Sequence, residues 1–149
     1  MERPHHELTP KLLDSLYVEA MVLADEARSY FDRDQVTAIA SPEISVAFSC
    51  ESLKVTTRLM HSIAWLLNQK AMRAGEISQH DSHGDERDLG YSPASDDFQV
   101  QRFPDEAKAL IAASEDLYFR LQRISTKMRA RTAPASEPHA MIERLRASF

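Results

Sequence analysis

The chain has 149 residues, enough for one domain with its own hydrophobic core. Its composition, 43% hydrophobic and 28% charged, excludes a disordered chain, and its net charge of −5 disfavours a general nucleic-acid binder, which needs an excess of cations. The single Cys50, an N-terminus without an apolar signal region and the lack of a long apolar run predict a cytoplasmic protein with no membrane span.

The first predicted helix spans residues 10–31. Thr9 is a suitable N-cap, and Pro10 fits the first helical position. Apolar residues then recur at steps of four and three, with a flanking row beside them: Leu13, Leu16, Tyr17, Ala20, Leu23, Ala24, Ala27, Tyr30 and Phe31. This pattern is typical of an amphipathic helix that packs one face against a core.

The second predicted helix spans residues 42–73, from a Ser41-Pro42 start to a stop at Gly75. It carries one apolar stripe of Val46, Cys50, Leu53, Thr57, Met60, Ala64, Leu67 and Ala71, and another of Phe48, Val55, Leu59, Ile63 and Leu66. Together the stripes cover more than half of the circumference. We therefore expect the helix to bury both of them against two neighbours, with Cys50 as a small core residue.

The third predicted helix spans residues 104–131. Its seam has one polar member and alternating steps of four and three: Phe103, Ala107, Leu110, Ser114, Leu117, Leu121, Ile124 and Met128. A seam of this kind favours helices that pack nearly antiparallel.

The sequence thus predicts an all-α fold, an antiparallel three-helix bundle over residues 1–131. A polar loop over 78–102 joins helices 2 and 3, and a loop of that length is usually functional or disordered. A flexible tail over 132–149 ends in a short stretch with helical spacing of its apolar residues: Met141, Ile142, Leu145 and Phe149.

The motifs of catalysis are missing from the sequence, which predicts a non-enzymatic protein with no catalytic, cofactor-binding or metal-binding residues and no cofactor. One alternative is a small metal-binding protein that uses the 80–86 loop, whose donors are His80, Asp81, His83, Asp85 and Glu86. A solvated loop is the favoured interpretation, because structural zinc sites normally use cysteines or a rigid scaffold.

A second alternative is a DNA-associated regulatory protein that uses a basic face of helix 3, formed by Arg120, Arg123, Lys127, Arg129 and Arg131. The acidic chain makes nucleic acid an unfavoured partner. Cations near a helix C-terminus are also expected without any ligand, because they interact favourably with the helix dipole.

Protein-protein binding is the favoured function, and two sets of residues are candidates for it. Trp65 lies outside both apolar stripes of helix 2, on a face shared by Arg58, His61, Asn68 and Met72. Trp and Arg at such a face are typical of a binding hot spot, but the interpretation in which the 78–102 loop or the tail folds over Trp65 is slightly favoured. The tail residues Met141, Ile142, Leu145 and Phe149 form the second set, with the spacing of a helix that binds in a groove.

Four stretches of the chain resemble the RcdA (regulator of CtrA degradation) family of alphaproteobacterial proteins. They are Leu12–Ala20, Ala24–Arg28, Val46–His61 with the following Trp65-Leu66-Leu67, and Gly75–Ser78. The resemblance covers about residues 9–78, and the third helix matches by pattern alone.

The resemblance implies a three-helix bundle, often dimeric, with a disordered C-terminal region. It implies an adaptor that works with the protease ATPase subunit ClpX and a response-regulator partner. Such an adaptor delivers cell-cycle substrates, including the transcription factor CtrA, to the ClpXP protease. A location at the cell pole and a homodimer are further implications, and no catalytic residue comes with the family.

Overall fold

The computed structural model describes residues 8–32, 41–75, 88–132, 142 and 145–148. Its helices are α1 (Pro10–Phe31), α2 (Pro42–Arg73), the short α3 (Asp97–Val100) and α4 (Asp105–Thr132). The described residues contain no strand, which confirms the all-α prediction. The bounds of the three long helices agree with the predicted ones to within one residue. The division of the chain into a bundle and a flexible tail stays a prediction.

The ends of the helices follow from local chemistry. The Thr9 hydroxyl accepts a hydrogen bond from the Leu12 N–H at 3.1 Å, and Pro10 occupies the first turn of α1. At the end of α2, Gly75 has a φ of +75°, a left-handed conformation that glycine adopts at little cost. The Asp96 carboxylate accepts from the Phe98 N–H at 3.1 Å and so begins α3.

The first long helix runs antiparallel to the other two. Near one end of the bundle the Tyr30 and Phe48 rings lie 6.4 Å apart, and near the other end Lys70 pairs with Asp14 at 3.2 Å. The C-terminal end of α1 therefore lies beside the N-terminal end of α2. Helix α4 has the same relation to α1, because Tyr30 lies near Glu106 at one end of the pair and Leu12 lies near Ile124 at the other.

Helices α2 and α4 run in the same direction, which differs from a fully antiparallel bundle. Phe48 packs on Phe103 with ring centroids 5.4 Å apart, and Arg58, further along α2, reaches Ser114 at 3.2 Å. The physical reason is the long connection between the helices, because it carries the chain back along the bundle before α4 begins. The antiparallel prediction holds for α1 against each partner and is wrong for this pair.

The last part of that connection, residues 88–104, is called the return segment here. It lies along the groove between α2 and α4, since Asp88 pairs with Arg129 while Asp96, further along, reaches Glu51. Residues 88–102 of the predicted loop are therefore packed against the bundle. Residues 78–87 lie outside the described part of the chain.

The apolar core confirms the predicted faces of α1 and α4. The buried members on α1 are Leu13, Leu16, Ala20, Leu23, Ala27 and Tyr30. The buried members of the other face are Phe103, two residues before α4, and Ala107, Leu110, Ser114, Leu117 and Leu121 on α4. Partly buried side chains of both predicted faces complete the packing: Tyr17, Ala24, Phe31, Ile124 and Met128.

Of the two apolar stripes predicted to face the core on α2, one is buried and the other is exposed. The stripe through Phe48, Val55, Leu59 and Leu66 is buried, but Val46, Leu53 and Met60 are each 65–67% exposed. Cys50 is also exposed rather than a core residue. The reason is that the return segment packs on the polar face that carries Glu51, Arg58 and His61, so that α2 buries this face in place of its first apolar stripe.

Candidate protein-interaction surfaces

The buried polar face of α2 is centred on Arg58, which is 1% exposed. Its guanidinium donates to the Ser114 hydroxyl at 3.2 Å, to the Pro93 carbonyl at 3.0 Å and to the Ser95 hydroxyl at 2.7 Å. Burial lowers the pKa of Arg58, while Glu115 and Glu51 act in the opposite direction. Arg58 thus joins α2, α4 and the return segment at one point.

Glu51 holds the next turn of the return segment. Its carboxylate accepts from the Asp96 N–H at 3.1 Å and pairs with Lys54 at 2.9 Å. Burial acts to raise the pKa of Glu51, but hydrogen bonds from Ser95 and Asp96 and the ammonium of Lys54 outweigh it, so the pKa is lowered. The charged form of Glu51 is therefore the one that this site stabilises.

A third set of contacts fixes the beginning of the return segment. The Tyr118 hydroxyl donates to the Gly90 carbonyl at 2.7 Å and accepts from the Ser92 N–H at 3.1 Å. His61 Nδ1 lies 2.9 Å from the Ser92 hydroxyl. A Cβ added at Gly90 would come within 2.8 Å of the His61 ring, so a side chain has no space here.

These contacts and the burial of the side chains show which candidate binding residues of α2 are exposed. Trp65 is 2% exposed and belongs to the core, and Arg58 is held by the return segment. An exposed hot spot is therefore wrong for both, and the alternative in which Trp65 is covered agrees with its burial. His61, Asn68 and Met72 are half-buried, and partner binding through them stays a prediction.

The tail candidates are only partly described. Ile142 and Leu145 are helical and exposed, at 45% and 57%. Met141 and Phe149 lie outside the described residues. Partner binding by the tail stays a prediction.

The exposed stripe of α2 was expected in the core and is instead a surface. We call it the outer seam: Val46, Cys50, Leu53, Thr57, Met60, Ala64 and Leu67. Its steps alternate four and three, which is the spacing of positions that face another helix in a coiled coil. Contiguous exposed apolar side chains of this kind mark protein-interaction surfaces.

The basic face of α4 is partly neutralised by the fold. Arg120 pairs with Glu19 and with Asp116, and Arg129 pairs with Asp88. Cations that already face carboxylates are less available for phosphates, which disfavours the DNA-associated alternative.

The proposed metal loop, residues 80–86, lies outside the described part of the chain. Across the ranges 8–32, 41–75 and 88–132 no group of three His, Cys, Asp or Glu side chains comes together as metal ligands. Over the same ranges no helix has the length and apolar character that a membrane span requires.

The chain is therefore an all-helical bundle with a return segment held between α2 and α4 and an exposed apolar seam on α2. The chain belongs to the family described as "Protein of unknown function (DUF1465)", whose model matches residues 5–149. Among solved structures it is similar to the crystal structure of RcdA from Caulobacter crescentus CB15, with 26% identity and a TM-score of 0.64. That likeness covers 81% of this chain and 93% of the other, which confirms the resemblance seen in the sequence. No curated protein matches the chain.

Proposed function

We propose that the chain is a non-enzymatic adaptor that brings protein substrates to an ATP-dependent protease of the ClpXP type. The observation that carries the proposal is the likeness to the RcdA structure, which covers 81% of this chain. The outer seam, where Val46, Leu53 and Met60 are exposed on a helix that is otherwise well packed, adds a surface on which another protein chain can pack. An apolar stripe of this length in water is stabilised when another protein covers it.

The likeness to RcdA supports the finer parts of the proposal. They are the ATPase subunit ClpX and a response regulator as partners, and cell-cycle proteins such as CtrA as substrates, at the cell pole. An adaptor needs no strong single contact, because holding a substrate beside the protease raises its effective concentration.

We further propose that two copies of the chain pair through the outer seam as a homodimer. The seam from Val46 to Leu67 covers 21 residue steps, about 32 Å at a rise of about 1.5 Å per residue. A second α2 supplies the same apolar side chains over the same length, as two-fold symmetric interfaces require.

The adaptor proposal is tested by capture from native lysate with the full-length chain and with a 1–131 truncation, followed by mass spectrometry. Enrichment of ClpX and of a response regulator by the full-length chain is the expected result. Loss of ClpX from the truncation would assign delivery to the tail. If neither protein is enriched by the full-length chain, the adaptor proposal is wrong.

The dimer proposal is tested with two matched substitutions, since Leu53 and Phe98 are both 67% exposed. We expect Leu53→Lys to convert the dimer into a monomer, because a buried lysine at a seam is costly. Phe98→Lys, on α3 rather than on the seam helix, leaves the dimer intact. Light scattering after size-exclusion chromatography measures both masses, and equal behaviour of the two variants contradicts the proposal.

A further inference from the structure

The groove between α1 and α4 contains two clefts of opposite charge. One cleft, of about 480 Å³, lies beside Tyr30 near the end of α1 and the start of α4. The other, of about 220 Å³, lies beside Leu12 near the start of α1 and the end of α4. The ion pair between Glu19 and Arg120 crosses the groove between them.

The first cleft is acidic. Asp25, Glu26 and Glu106 line it, and Leu23 and Leu110 give it an apolar floor. Asp25 contacts Arg28 at 3.4 Å on the exposed surface. Within the described part of the chain, Glu26 and Glu106 have no cation in salt-bridge contact.

A buried hydroxyl at the acidic cleft has no hydrogen-bond partner. Tyr30 is 3% exposed and lines the cleft, and its hydroxyl bonds to no atom of the described residues. Burial raises the pKa of the Tyr30 hydroxyl, and the negative charge of Glu106 raises it further. The Ala107 N–H acts to lower this pKa, although it does not meet the geometry of a hydrogen bond to the hydroxyl. An unsatisfied buried hydroxyl is costly, and a donor or acceptor from outside would relieve it.

The second cleft is basic. Arg120, Arg123 and Lys127 line it above a floor that includes Leu12 and Ile124. Leu12 is 41% exposed, so apolar surface is open to solvent here. Arg123 has no carboxylate partner among the described residues, whereas Arg120 is held by Glu19 and Asp116.

We propose that the groove between α1 and α4 binds one amphipathic helix of a partner protein, with acidic residues at its N-terminal end and basic residues at its C-terminal end. The acidic end lies at Arg123 and the basic end at Glu26 and Glu106. The helix runs parallel to α1, and its apolar face covers the floors of both clefts.

The dimensions and the charge order support this occupant. From Leu12 to Leu23 the groove spans 11 residue steps, about 17 Å, which is about three turns of helix at 1.5 Å per residue. Acids near an N-terminus and bases near a C-terminus also stabilise a helix through its dipole, so the charge order that fits the groove is one that helices favour. A partner helix in this groove would pack beside α1 and α4 as a fourth long helix of the bundle.

This inference rests on the proposal that the chain binds proteins, and it adds a surface and a ligand chemistry to it. The test uses a fluorescein-labelled synthetic helix of 16 residues with three glutamates in its first turn, leucines at helical spacing and three arginines in its last turn. Its control has the same composition with the charges exchanged between the two ends. Fluorescence anisotropy with the full-length protein measures both affinities.

The expected result is a preference of about tenfold or more for the first peptide, which corresponds to about 1.4 kcal/mol. The triple variant Glu26→Lys, Glu106→Lys and Arg123→Glu abolishes the preference, because the charged residues that line the two clefts then have the same net charge. Glu43→Lys, an exposed charge change on α2, keeps it. If the triple variant does not fold, Arg123→Glu alone must weaken binding of the first peptide at least about threefold.

Equal binding of the two peptides overturns the inference, and so does a triple variant that keeps the original preference. If Ile142→Ser with Leu145→Ser raises the affinity about tenfold, the chain's own tail is the occupant and the inference is also wrong. Capture of ClpX without peptide preference refutes the groove but keeps the adaptor. Peptide preference without capture of ClpX refutes the adaptor but keeps the groove.

Discussion

Two grooves of the bundle share α4 but differ in what fills them. One lies between α2 and α4, and the other lies between α1 and α4. The return segment occupies the first and is held by buried hydrogen bonds, with Arg58 at their centre. The second has exposed clefts of opposite charge on either side of the ion pair between Glu19 and Arg120. The contrast teaches that α4 uses polar groups for stability on one side and leaves them open to solvent on the other.

The largest expected effect is that of Arg58→Ala in the filled groove. The substitution leaves the Pro93 carbonyl and the Ser95 and Ser114 hydroxyls without their donor, so we expect a loss of about 3 kcal/mol in the free energy of unfolding. Arg123→Ala, at the open groove, changes it by no more than about 0.5 kcal/mol. Urea denaturation at one fixed protein concentration measures both.

Similar losses for the two arginine variants would contradict the comparison between the grooves. Arg58→Lys sharpens the test, since lysine keeps the charge but cannot reproduce the planar fork that meets three acceptors. We expect its stability to lie between those of the wild type and Arg58→Ala.

The second prediction concerns the two glycines of the described chain. In Gly90→Ala the new Cβ meets the His61 ring at 2.8 Å, and His61 is already held against Ser92. We expect a loss of about 2 kcal/mol from this overpacking. Gly75→Ala meets no atom within 4 Å but keeps a φ of +75°, so its cost is the smaller backbone strain of about 1 kcal/mol.

The order of the two glycine variants is the critical result, measured from their thermal midpoints. If Gly75→Ala is the more destabilised, the return segment adjusts easily near Gly90. The filled groove would then be less rigid than its contacts indicate.

The third prediction is a loss of stability in acid that depends on Glu51. Its folded pKa is lowered, so its stabilising contribution is present above the ordinary value of 4.5 and disappears as the pH falls through the folded pKa. Glu51→Gln loses about 1.5 kcal/mol at pH 7, because the amide replaces a charged acceptor. The difference between wild type and variant shrinks as the pH falls to 3.

Unfolding free energies at a series of pH values test this prediction. A difference that stays constant from neutral to acid pH would show that Glu51 does not hold the return segment through its charge. The exposed Glu26→Gln serves as the control, because Glu26 has no cation in salt-bridge contact among the described residues, and we expect it to change the unfolding free energy at pH 7 much less than Glu51→Gln does.

The sequence predicts the faces of α1 and α4 well, because each has one continuous apolar stripe. For α2 the pattern offers two stripes, and period alone cannot decide which one faces the core. The stripe with Leu53 is exposed because a polar face is buried in its place, where Arg58 bonds to Pro93 and Ser95 of the return segment. One signal for this was present, since Ser114 is the polar member of the α4 seam and accepts from Arg58.

The contacts of the return segment could not be predicted from local pattern. Arg58 and Ser114 are 56 residues apart in the chain, and His61 and Ser92 are 31 apart. Periodicity reports which face of a helix is apolar, but it does not report which distant loop hydrogen-bonds to a polar face. The opposite charges of the two open clefts likewise appear only when α1 and α4 are placed side by side.

The smallest expected effect is that of Glu19→Gln in the open groove. Arg120 and Glu19 are 33% and 42% exposed, so water and salt screen their attraction, and an exposed pair of this kind contributes about 0.5 kcal/mol. A double-mutant cycle with Arg120→Gln isolates the pair, with Asp116→Asn as the control for the second partner of Arg120. A coupling as large as the cost of Arg58→Ala would mean that the ion pair closes the groove and would exclude a ligand there. A small coupling that falls further with added salt leaves Glu19 and Arg120 able to separate when a charged helix binds.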